Sequence, residues 1–144
     1  MTLSRRDAVL AALAPAQGAG FTPVQVQKLC FLLDREVANA LGGPHFNFTP
    51  YHYGPFDHGV YQQLEELSAE GLVSIDDTGH RLRRYALTPQ GQDVGEAVAS
   101  KLPPPIQDYL GKLVEFVRGA SFAQLVSAIY RRYPEMRANS VFQD

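Results

Sequence analysis

Apolar residues recur at intervals of three and four in several stretches of the chain, which is the spacing of one face of an α-helix. Near the amino terminus this pattern predicts a first helix from about Arg5 to Ala14, with Ser4 as its N-cap. A second helix is predicted from Pro23 to about Ala40, because Thr22 and Pro23 form a cap and a first-turn proline before a long apolar stripe.

The middle of the chain predicts a mixture of extended and helical elements. The segment 45–59 is aromatic and contains two prolines, so it predicts a short strand or a packed loop. Asp57 then caps a third helix that ends at Gly71. A β-hairpin is predicted next, because the runs 72–75 and 82–87 flank a turn.

Three further helices complete the predicted order of elements. They are expected at about 89–100, 106–117 and 122–133, with Thr88 and Ser121 as N-caps. Three consecutive prolines lie within 101–105, so this segment is expected to be a stiff connector between two helices.

The predicted order of helix, helix, short strand, helix, hairpin and helix is typical of a winged helix. We therefore expect a mainly α fold with a small β-hairpin: a winged helix-turn-helix-like core over residues 1–102 and a C-terminal helical pair over 103–144, packed on the same domain. Periodicity turns one set of apolar residues toward a common core: Val26, Leu29, Leu33, Val37, Val60, Leu64, Leu67, Leu72, Ile75 and Tyr85.

Composition limits where the protein works and what it binds. Cys30 is the only cysteine, and a lone thiol indicates the cytoplasm. No apolar run is long enough to span a membrane, so no membrane partner is expected. The formal net charge of −2 provides no general attraction to polyanions, and DNA binding would need a local basic patch.

No pattern in the sequence indicates catalysis, and we expect neither an enzyme nor a cofactor. His45, His52, Asp57 and His58 are close in sequence, but they lack the ligand spacing of a zinc site, so no metal site is expected. Cys30 lies on the apolar stripe of the second helix and has no identifiable base partner, which favours a core position.

Two resemblances to known families support this interpretation. The stretch 59–91 contains the runs LEELSAEGLV and YALTPQG on either side of the predicted hairpin. It resembles the end of winged-helix domains of the PadR and MarR kind, where LxxLxxxGLV, a basic hairpin and Y-x-L-T-x-x-G are common. This first resemblance implies an architecture more than a function.

The second resemblance covers KLCFLLDREV at 28–37 and YHYGPFDHGVYQQL at 51–64. Together these runs are similar to the Panacea domain and its YwgA-like relatives. The chain matches that pattern at Lys28, Leu29, Phe31, Leu32, Tyr53, Gly54, Pro55, Val60 and Tyr61. The resemblance implies a bacterial or phage antitoxin that neutralises an unrelated toxin by direct binding, without enzymatic activity.

The third helix and the hairpin, or wing, carry charges of opposite sign. The helix carries Glu65, Glu66 and Glu70 but no lysine or arginine, so it would repel phosphate. The wing is the candidate nucleic-acid contact, and its basic residues are His80, Arg81, Arg83 and Arg84. A hairpin that is merely kept soluble by these charges is the simpler alternative.

These observations leave two hypotheses. In the first, the protein is an antitoxin-type module that binds a cognate toxin or another protein through an acidic helix and an aromatic surface. The residues assigned to that interface are Tyr53, Gly54, Pro55, Phe56, His58, Gln62, Glu65 and Glu66. In the second, it is a winged-helix transcription regulator that binds DNA through the wing, as a homodimer formed by its C-terminal helices.

Overall fold

The computed structural model describes residues 2–78 and 83–142, and the predicted fold class, mainly α with a small β-hairpin, is confirmed. Within these residues the chain forms six α-helices and four short strands. The elements are α1 (Arg5–Leu13), α2 (Pro23–Glu36), β1 (Thr49–Tyr51), β2 (Gly54–Phe56), α3 (His58–Ala69), β3 (Val73–Asp76), β4 (Arg84–Leu87), α4 (Pro89–Ala99), α5 (Pro104–Gly119) and α6 (Phe122–Arg132). Short 3₁₀ turns follow α1 at Ala14–Ala16 and α6 at Pro134–Arg137.

Side-chain caps begin five of the helices at the residues that the sequence predicts. In each case the capping oxygen accepts a hydrogen bond from a backbone N–H of the first turn, which would otherwise lack a partner. The caps are Ser4, Thr22, Asp57, Thr88 and Ser121. Local chemistry therefore places these helix starts before any long-range contact is considered.

The second helix is shorter than expected, because it ends at Glu36 and not near Ala40. Val37 leaves the helical region with φ −136° and ψ 31°, and the N–H of Gly43 then bonds the carbonyl of Ala38 in a turn. Leu41 is still buried. The spacing of apolar residues after α2 therefore indicates which residues are buried, but it does not distinguish a helix from a compact turn.

The aromatic segment folds into a second hairpin, where the sequence predicted a single strand or a loop. Strands β1 and β2 pair antiparallel, with Thr49 opposite Phe56 and Tyr51 opposite Gly54. Gly54 has φ +102°, a conformation that favours glycine and allows the sharp return of the chain. Each of these strands has only three residues, which is too short for an alternating hydrophobic pattern to indicate a strand.

The segment 101–105 is not the stiff connector that its prolines predicted. Pro104 starts α5, and Pro103 is the residue before the helix. Proline is compatible with the first helical turn, because the N–H groups there have no partner within the helix. The connection between α4 and α5 is consequently very short.

Strands β3 and β4 form the predicted wing hairpin, with Val73 opposite Leu87 and Ile75 opposite Tyr85. Phe21 adds a bridge that the sequence did not predict, because its backbone exchanges hydrogen bonds of 2.8 and 2.9 Å with Tyr85. The loop before α2 is thereby fastened to the hairpin.

One cluster of buried apolar residues includes side chains from all six helices. Eight of the ten predicted core residues are buried, whereas Val37 and Ile75 are half-buried. Phe31 and Leu32 are also buried, because Tyr133 packs against Phe31 and side chains of α5 and α6 surround Leu32. The C-terminal part of the chain therefore covers the face of α2 that carries Phe31 and Leu32.

Helix α4 approaches its neighbours so closely that two of its positions require glycine. A Cβ on Gly91 would lie 1.9 Å from the carbonyl oxygen of Leu72, and one on Gly95 would lie 2.6 Å from that of Leu10. None of the helices in the described part of the chain is both long enough and apolar enough to cross a membrane.

Candidate protein-binding surface

Three polar side chains of α2 hold the connection between α2 and α3 in place. The first is Gln27, which is buried and forms two hydrogen bonds with the backbone of Asp57. Its amide nitrogen donates to the Asp57 carbonyl at 2.9 Å, and its amide oxygen accepts from the Asp57 N–H at 3.0 Å. Gln27 thus fixes the residue that caps α3.

Lys28 fixes the strand that precedes this cap. Only 4% of the residue is exposed, and its Nζ donates a hydrogen bond of 3.1 Å to the carbonyl oxygen of Pro55. Desolvation lowers the pKa of Lys28 to about 8, because burial disfavours the charged ammonium. The lysine of the KLxYL-like run therefore binds backbone and does not face solvent.

Asp34 anchors the other end of the connection. Its carboxylate accepts hydrogen bonds from the N–H groups of His45 at 3.0 Å and Phe46 at 2.8 Å. Burial raises the pKa of Asp34, although these two N–H donors oppose the shift. From α1, Arg5 donates to the carbonyl of His45 at 2.9 Å and lies over the Phe46 ring.

The anchored hairpin presents Tyr53 to solvent beside the first residue of α6. The rings of Tyr53 and Phe122 meet edge to face at 5.2 Å between centroids, and each residue is 44% exposed. Phe142 extends the group, at 5.9 Å from Phe122. We call these three residues the Tyr53–Phe122 surface.

An open cleft of about 380 Å³ adjoins the Tyr53–Phe122 surface. Most of its wall is apolar, and it lies between the start of α2 and the start of α6. Its lining residues are Thr22, Val24, Gln25, Tyr53, Ala120, Phe122 and Leu125. Exposed aromatic side chains next to an apolar cleft are a common feature of protein-binding sites.

The residues assigned to the interface from the sequence divide into separate groups in the fold. Gly54 and Pro55 are buried, so they shape the hairpin and are not available as contacts, which corrects that part of the assignment. Phe56 is half-buried and packs on Tyr61 at 5.8 Å, and the exposed His58 contacts the same tyrosine. Phe56 therefore lies beside α3, and His58 is the first residue of that helix, so both belong to a different part of the surface from Phe122.

The outer face of α3 carries the exposed residues Gln62, Glu65 and Glu66, as expected. The helix itself has no lysine or arginine, but basic residues from other elements reach its carboxylates. Arg6 of α1 bonds both carboxylate oxygens of Glu70, with a shortest distance of 2.8 Å. That hydrogen bond lowers the pKa of Glu70.

Arg83 of the wing is directed toward carboxylates of the protein itself. It pairs with Asp77 at 3.0 Å and lies 3.9 Å from Glu65. Arg84 is exposed, and its aliphatic stem lies beside Gly20. The other two residues of the predicted basic wing, His80 and Arg81, lie outside the described residues.

Glu36 joins three helices through a polar cluster that the sequence did not indicate. The hydroxyl of Tyr109 donates to its carboxylate at 2.8 Å, the hydroxyl of Tyr133 also donates, and Arg132 pairs with it at 3.0 Å. Desolvation and the neighbouring carboxylate raise the pKa of both tyrosines. The cluster fastens the end of α2 to α5 and α6.

Of the residues considered for metal binding or catalysis, His45 is half-buried and Cys30 is buried, whereas His52 and His58 are exposed. A ring nitrogen of His45 lies 2.6 Å from the carbonyl oxygen of Leu41. Cys30 is buried, and desolvation raises the pKa of its thiol. In residues 2–78 and 83–142, no three metal-ligating side chains come together.

The sequence matches no protein-family model, and no curated protein is significantly similar to it. Sequence patterns did not indicate Gln27, Asp34 or Phe122 as important. Gln27 and Asp34 could have been noticed as polar residues within or beside an apolar helical stripe, but Phe122 carries no signal, because only the fold brings it to Tyr53.

Proposed function

We propose that this protein is a non-enzymatic module that binds another protein through the Tyr53–Phe122 surface. The observation that carries the proposal is the exposed aromatic pair beside an apolar cleft of about 380 Å³. Aromatic residues dominate the binding energy of many interfaces, since they bury a large area while losing few rotatable bonds. Lys28 holds the hairpin that presents Tyr53 through a buried hydrogen bond to Pro55, and Gln27 holds the following residue, Asp57, so little ordering is needed on binding.

The resemblance to the Panacea domain suggests that the bound protein is a toxin. Under this proposal the chain is an antitoxin that covers an apolar part of its partner. The matching residues Lys28, Gly54 and Pro55 would then keep the hairpin in shape, and Tyr53 would make the contact. The half-buried carboxylates of Glu36 and Asp34 accept hydrogen bonds from other parts of the chain, which is consistent with a role other than catalysis.

A growth assay in the native host tests this proposal. Each gene next to that of this protein is expressed alone and then together with the wild type, and we expect one neighbour to arrest growth and the wild type to relieve the arrest. Tyr53→Ala with Phe122→Ala should abolish relief, because truncating such anchors costs about 2 kcal/mol or more of binding energy each. Tyr51→Ala is the matched control, since Tyr51 is a similarly exposed tyrosine of the same hairpin, and its ring packs on His52 and Phe56 instead of Phe122.

The affinity between the purified proteins is measured for the same variants. It should fall for the double variant that fails to relieve growth arrest and stay unchanged for Tyr51→Ala. Circular dichroism spectra and melting temperatures show whether each variant is folded. Full relief of growth arrest by the folded double variant would refute the proposed interface.

A winged-helix regulator that binds DNA is the second candidate. The observation in its favour is the order of α1, the Phe21 bridge, α2, α3 and the β3–β4 hairpin, which matches the winged-helix arrangement. The acidic α3 and the pairing of Arg83 with Asp77 count against it. If DNA binds at the wing, replacing Arg81, Arg83 and Arg84 by Ala should reduce the salt dependence of affinity by about one unit for each lost phosphate contact.

A further inference from the structure

Phe142 differs from the other two residues of the Tyr53–Phe122 surface in how the fold holds it. Met136 is buried, but none of residues 137–142 is. Ser140, Val141 and Phe142 belong to no helix or strand. The position of Phe142 therefore depends on contacts at the surface, and we call the residues that make them segment 139–142.

Segment 139–142 is held against the hairpin by hydrogen bonds to two backbone carbonyls. The Asn139 side chain donates to the carbonyl oxygen of Pro50 at 3.1 Å, and the N–H of Val141 donates to that of His52 at 2.9 Å. Pro50 is half-buried and His52 is exposed. Water can bind both carbonyls when the segment leaves, so its departure leaves no buried polar group without a partner.

Segment 139–142 also covers the ring of Tyr130. The Tyr130 hydroxyl donates to Ser140 Oγ at 2.7 Å, and the ring centroids of Phe142 and Tyr130 are 6.4 Å apart. Tyr130 packs against the hairpin as well, because a Cβ on Gly54 would lie 3.5 Å from its ring. Only 2% of Tyr130 is exposed while the segment is in place. Removal of the segment would therefore extend the Tyr53–Phe122 surface onto Tyr130.

The contacts of segment 139–142 can open while the rest of the chain stays folded. An exposed hydrogen bond contributes about as much to stability as the conformational entropy of ordering one residue costs. Regions with few buried apolar contacts and exposed hydrogen bonds have the lowest local stability in a fold. The hairpin keeps its own support, because Lys28 still binds Pro55.

We propose that segment 139–142 is a displaceable cover of the Tyr53–Phe122 surface, and that a non-helical segment of the partner protein replaces it. The partner's segment places an aromatic side chain where Phe142 lies, against Phe122 and Tyr130. One of its backbone N–H groups donates to the carbonyl of His52 in place of Val141. Segment 139–142 shows that the site accepts this chemistry, since its own ring and N–H make these contacts.

This inference rests on the proposed function, because it assumes that the Tyr53–Phe122 surface binds a protein. The displacement itself can be measured without that partner, on the full chain alone and with a peptide as the probe. None of the positions substituted in segment 139–142 is buried, so each variant should stay folded, which circular dichroism spectra check.

Amide hydrogen exchange of the wild type tests whether the segment opens by itself. We expect the N–H of Val141 to be at least about a hundredfold less protected than that of Ile129 in α6, because local opening requires no global unfolding. Equal protection of the two amides would mean that segment 139–142 opens only when the whole chain unfolds, and it would overturn the proposal.

A peptide with the sequence of residues 137–142, RANSVF, is the probe of the uncovered site. A tethered segment acts at an effective concentration in the millimolar range, so a mostly closed segment implies a dissociation constant of about a millimolar or less for the free peptide. The full chain carrying Val141→Pro with Phe142→Ala has an open site, because its segment can neither donate to His52 nor pack on Phe122. We expect the peptide to shift amide resonances at His52 and Phe122 of this variant, and to bind the wild type at least about tenfold more weakly.

Matched controls identify the contacts that matter. The peptide RANSVA lacks the ring and should bind the open variant at least about tenfold more weakly than RANSVF. Val141→Ala shortens a side chain that is 60% exposed and keeps the N–H, so this variant should bind RANSVF as the wild type does. The proposal is overturned if RANSVF at about 10 mM does not bind the open variant, or binds it and the wild type equally.

The affinity for the toxin identified in the growth assay separates this inference from the proposed function. Phe142→Ala should bind the toxin about tenfold more tightly, because the closed form no longer competes. Weaker binding by Phe142→Ala would make Phe142 a fixed part of the interface, which overturns the displacement but leaves the proposed function intact. Full binding by the folded variant Tyr53→Ala with Phe122→Ala would instead refute the proposed function.

Discussion

The ammonium of Lys28 donates a hydrogen bond of 3.1 Å to the carbonyl oxygen of Pro55 while the rest of the side chain is enclosed by the protein. This contact joins α2 to the hairpin that presents Tyr53. It has an electrostatic cost, because burial lowers the pKa of Lys28 to about 8 from 10.5. The position of the candidate interface is therefore linked to the ionisation of a buried lysine.

The first prediction follows from the direction of that shift. The folded chain binds fewer protons than the unfolded chain between about pH 8 and 10.5, so the free energy of unfolding should rise with pH in that interval. Below about pH 8 Lys28 stays protonated in the folded chain, so the destabilisation caused by burying its charge is fully present. Relative to Lys28→Met, the wild type should gain about 2 kcal/mol between pH 7 and pH 9.5, measured by urea unfolding. The raised pKa values of Tyr109 and Tyr133 affect both proteins alike and cancel in the difference.

Parallel pH dependences of the wild type and Lys28→Met would contradict this prediction. Lys101→Met is the control, because it makes the same change of side chain at an exposed position.

The second prediction concerns the core beneath α3. Leu64 is 1% exposed and belongs to the main apolar cluster, so Leu64→Ala should lower the free energy of unfolding by about 2 to 5 kcal/mol. Gln62→Ala, at an exposed position of the same helix, should change it by less than about 0.5 kcal/mol. Denaturant unfolding followed by circular dichroism measures both, and equal effects would contradict the burial of Leu64.

The third prediction compares two glycines in the interiors of helices. Gly95→Ala should destabilise the fold by several kcal/mol, because the new Cβ would lie 2.6 Å from the backbone carbonyl oxygen of Leu10. A Cβ on Gly111 would meet nothing within 4 Å, so Gly111→Ala should stabilise α5 by about 0.5 to 1 kcal/mol. Thermal unfolding should therefore shift in opposite directions for the two variants. An unchanged or increased stability of Gly95→Ala would mean that α4 does not pack closely on α1.

The fourth prediction concerns the acidic face of α3. Glu65→Lys with Glu66→Lys should leave the fold intact, since both residues are exposed and Arg83 retains its pairing with Asp77. If α3 faces a basic partner, the double variant should associate more slowly at low salt, because exposed charges act mainly on the association rate. Asp93→Lys with Glu96→Lys makes the same charge change on α4.

Stopped-flow or surface plasmon resonance measurements with the toxin identified in the growth assay provide the association rates. Equal rates for the wild type and the α3 variant would remove α3 from the interface. The Tyr53–Phe122 surface would then be the remaining candidate.

Several features of the fold follow from the sequence alone because they depend on interactions between near neighbours. A capping side chain needs only an N–H two or three residues away, so residues such as Ser4 and Thr22 identify helix starts. Helical periodicity likewise identifies Leu64 and Leu67 as core residues. The fold class and most of the core were therefore predictable before any tertiary contact was known.

The candidate interface was only partly predictable, because sequence adjacency does not determine exposure. Tyr53, Gly54 and Pro55 are consecutive, yet the structure exposes the first and buries the other two. The partner ring of Tyr53 belongs to Phe122, far along the chain, and no local pattern relates the two. For the same reason the partners of the α3 carboxylates could not be predicted, since Arg6 reaches Glu70 only when α1 and α3 are folded together.

The sequence by itself determined where helices begin, which faces are apolar and that the chain is mainly helical, because these properties arise from interactions over a few residues. Only the tertiary structure decided that Gln27, Lys28 and Asp34 bind backbone of the α2–α3 connection. A polar residue beside an apolar stripe can face solvent, a ligand or another segment, and its local sequence is the same in each case. The contact is selected by which segment the fold brings against it, so it depends on the packing of the whole chain.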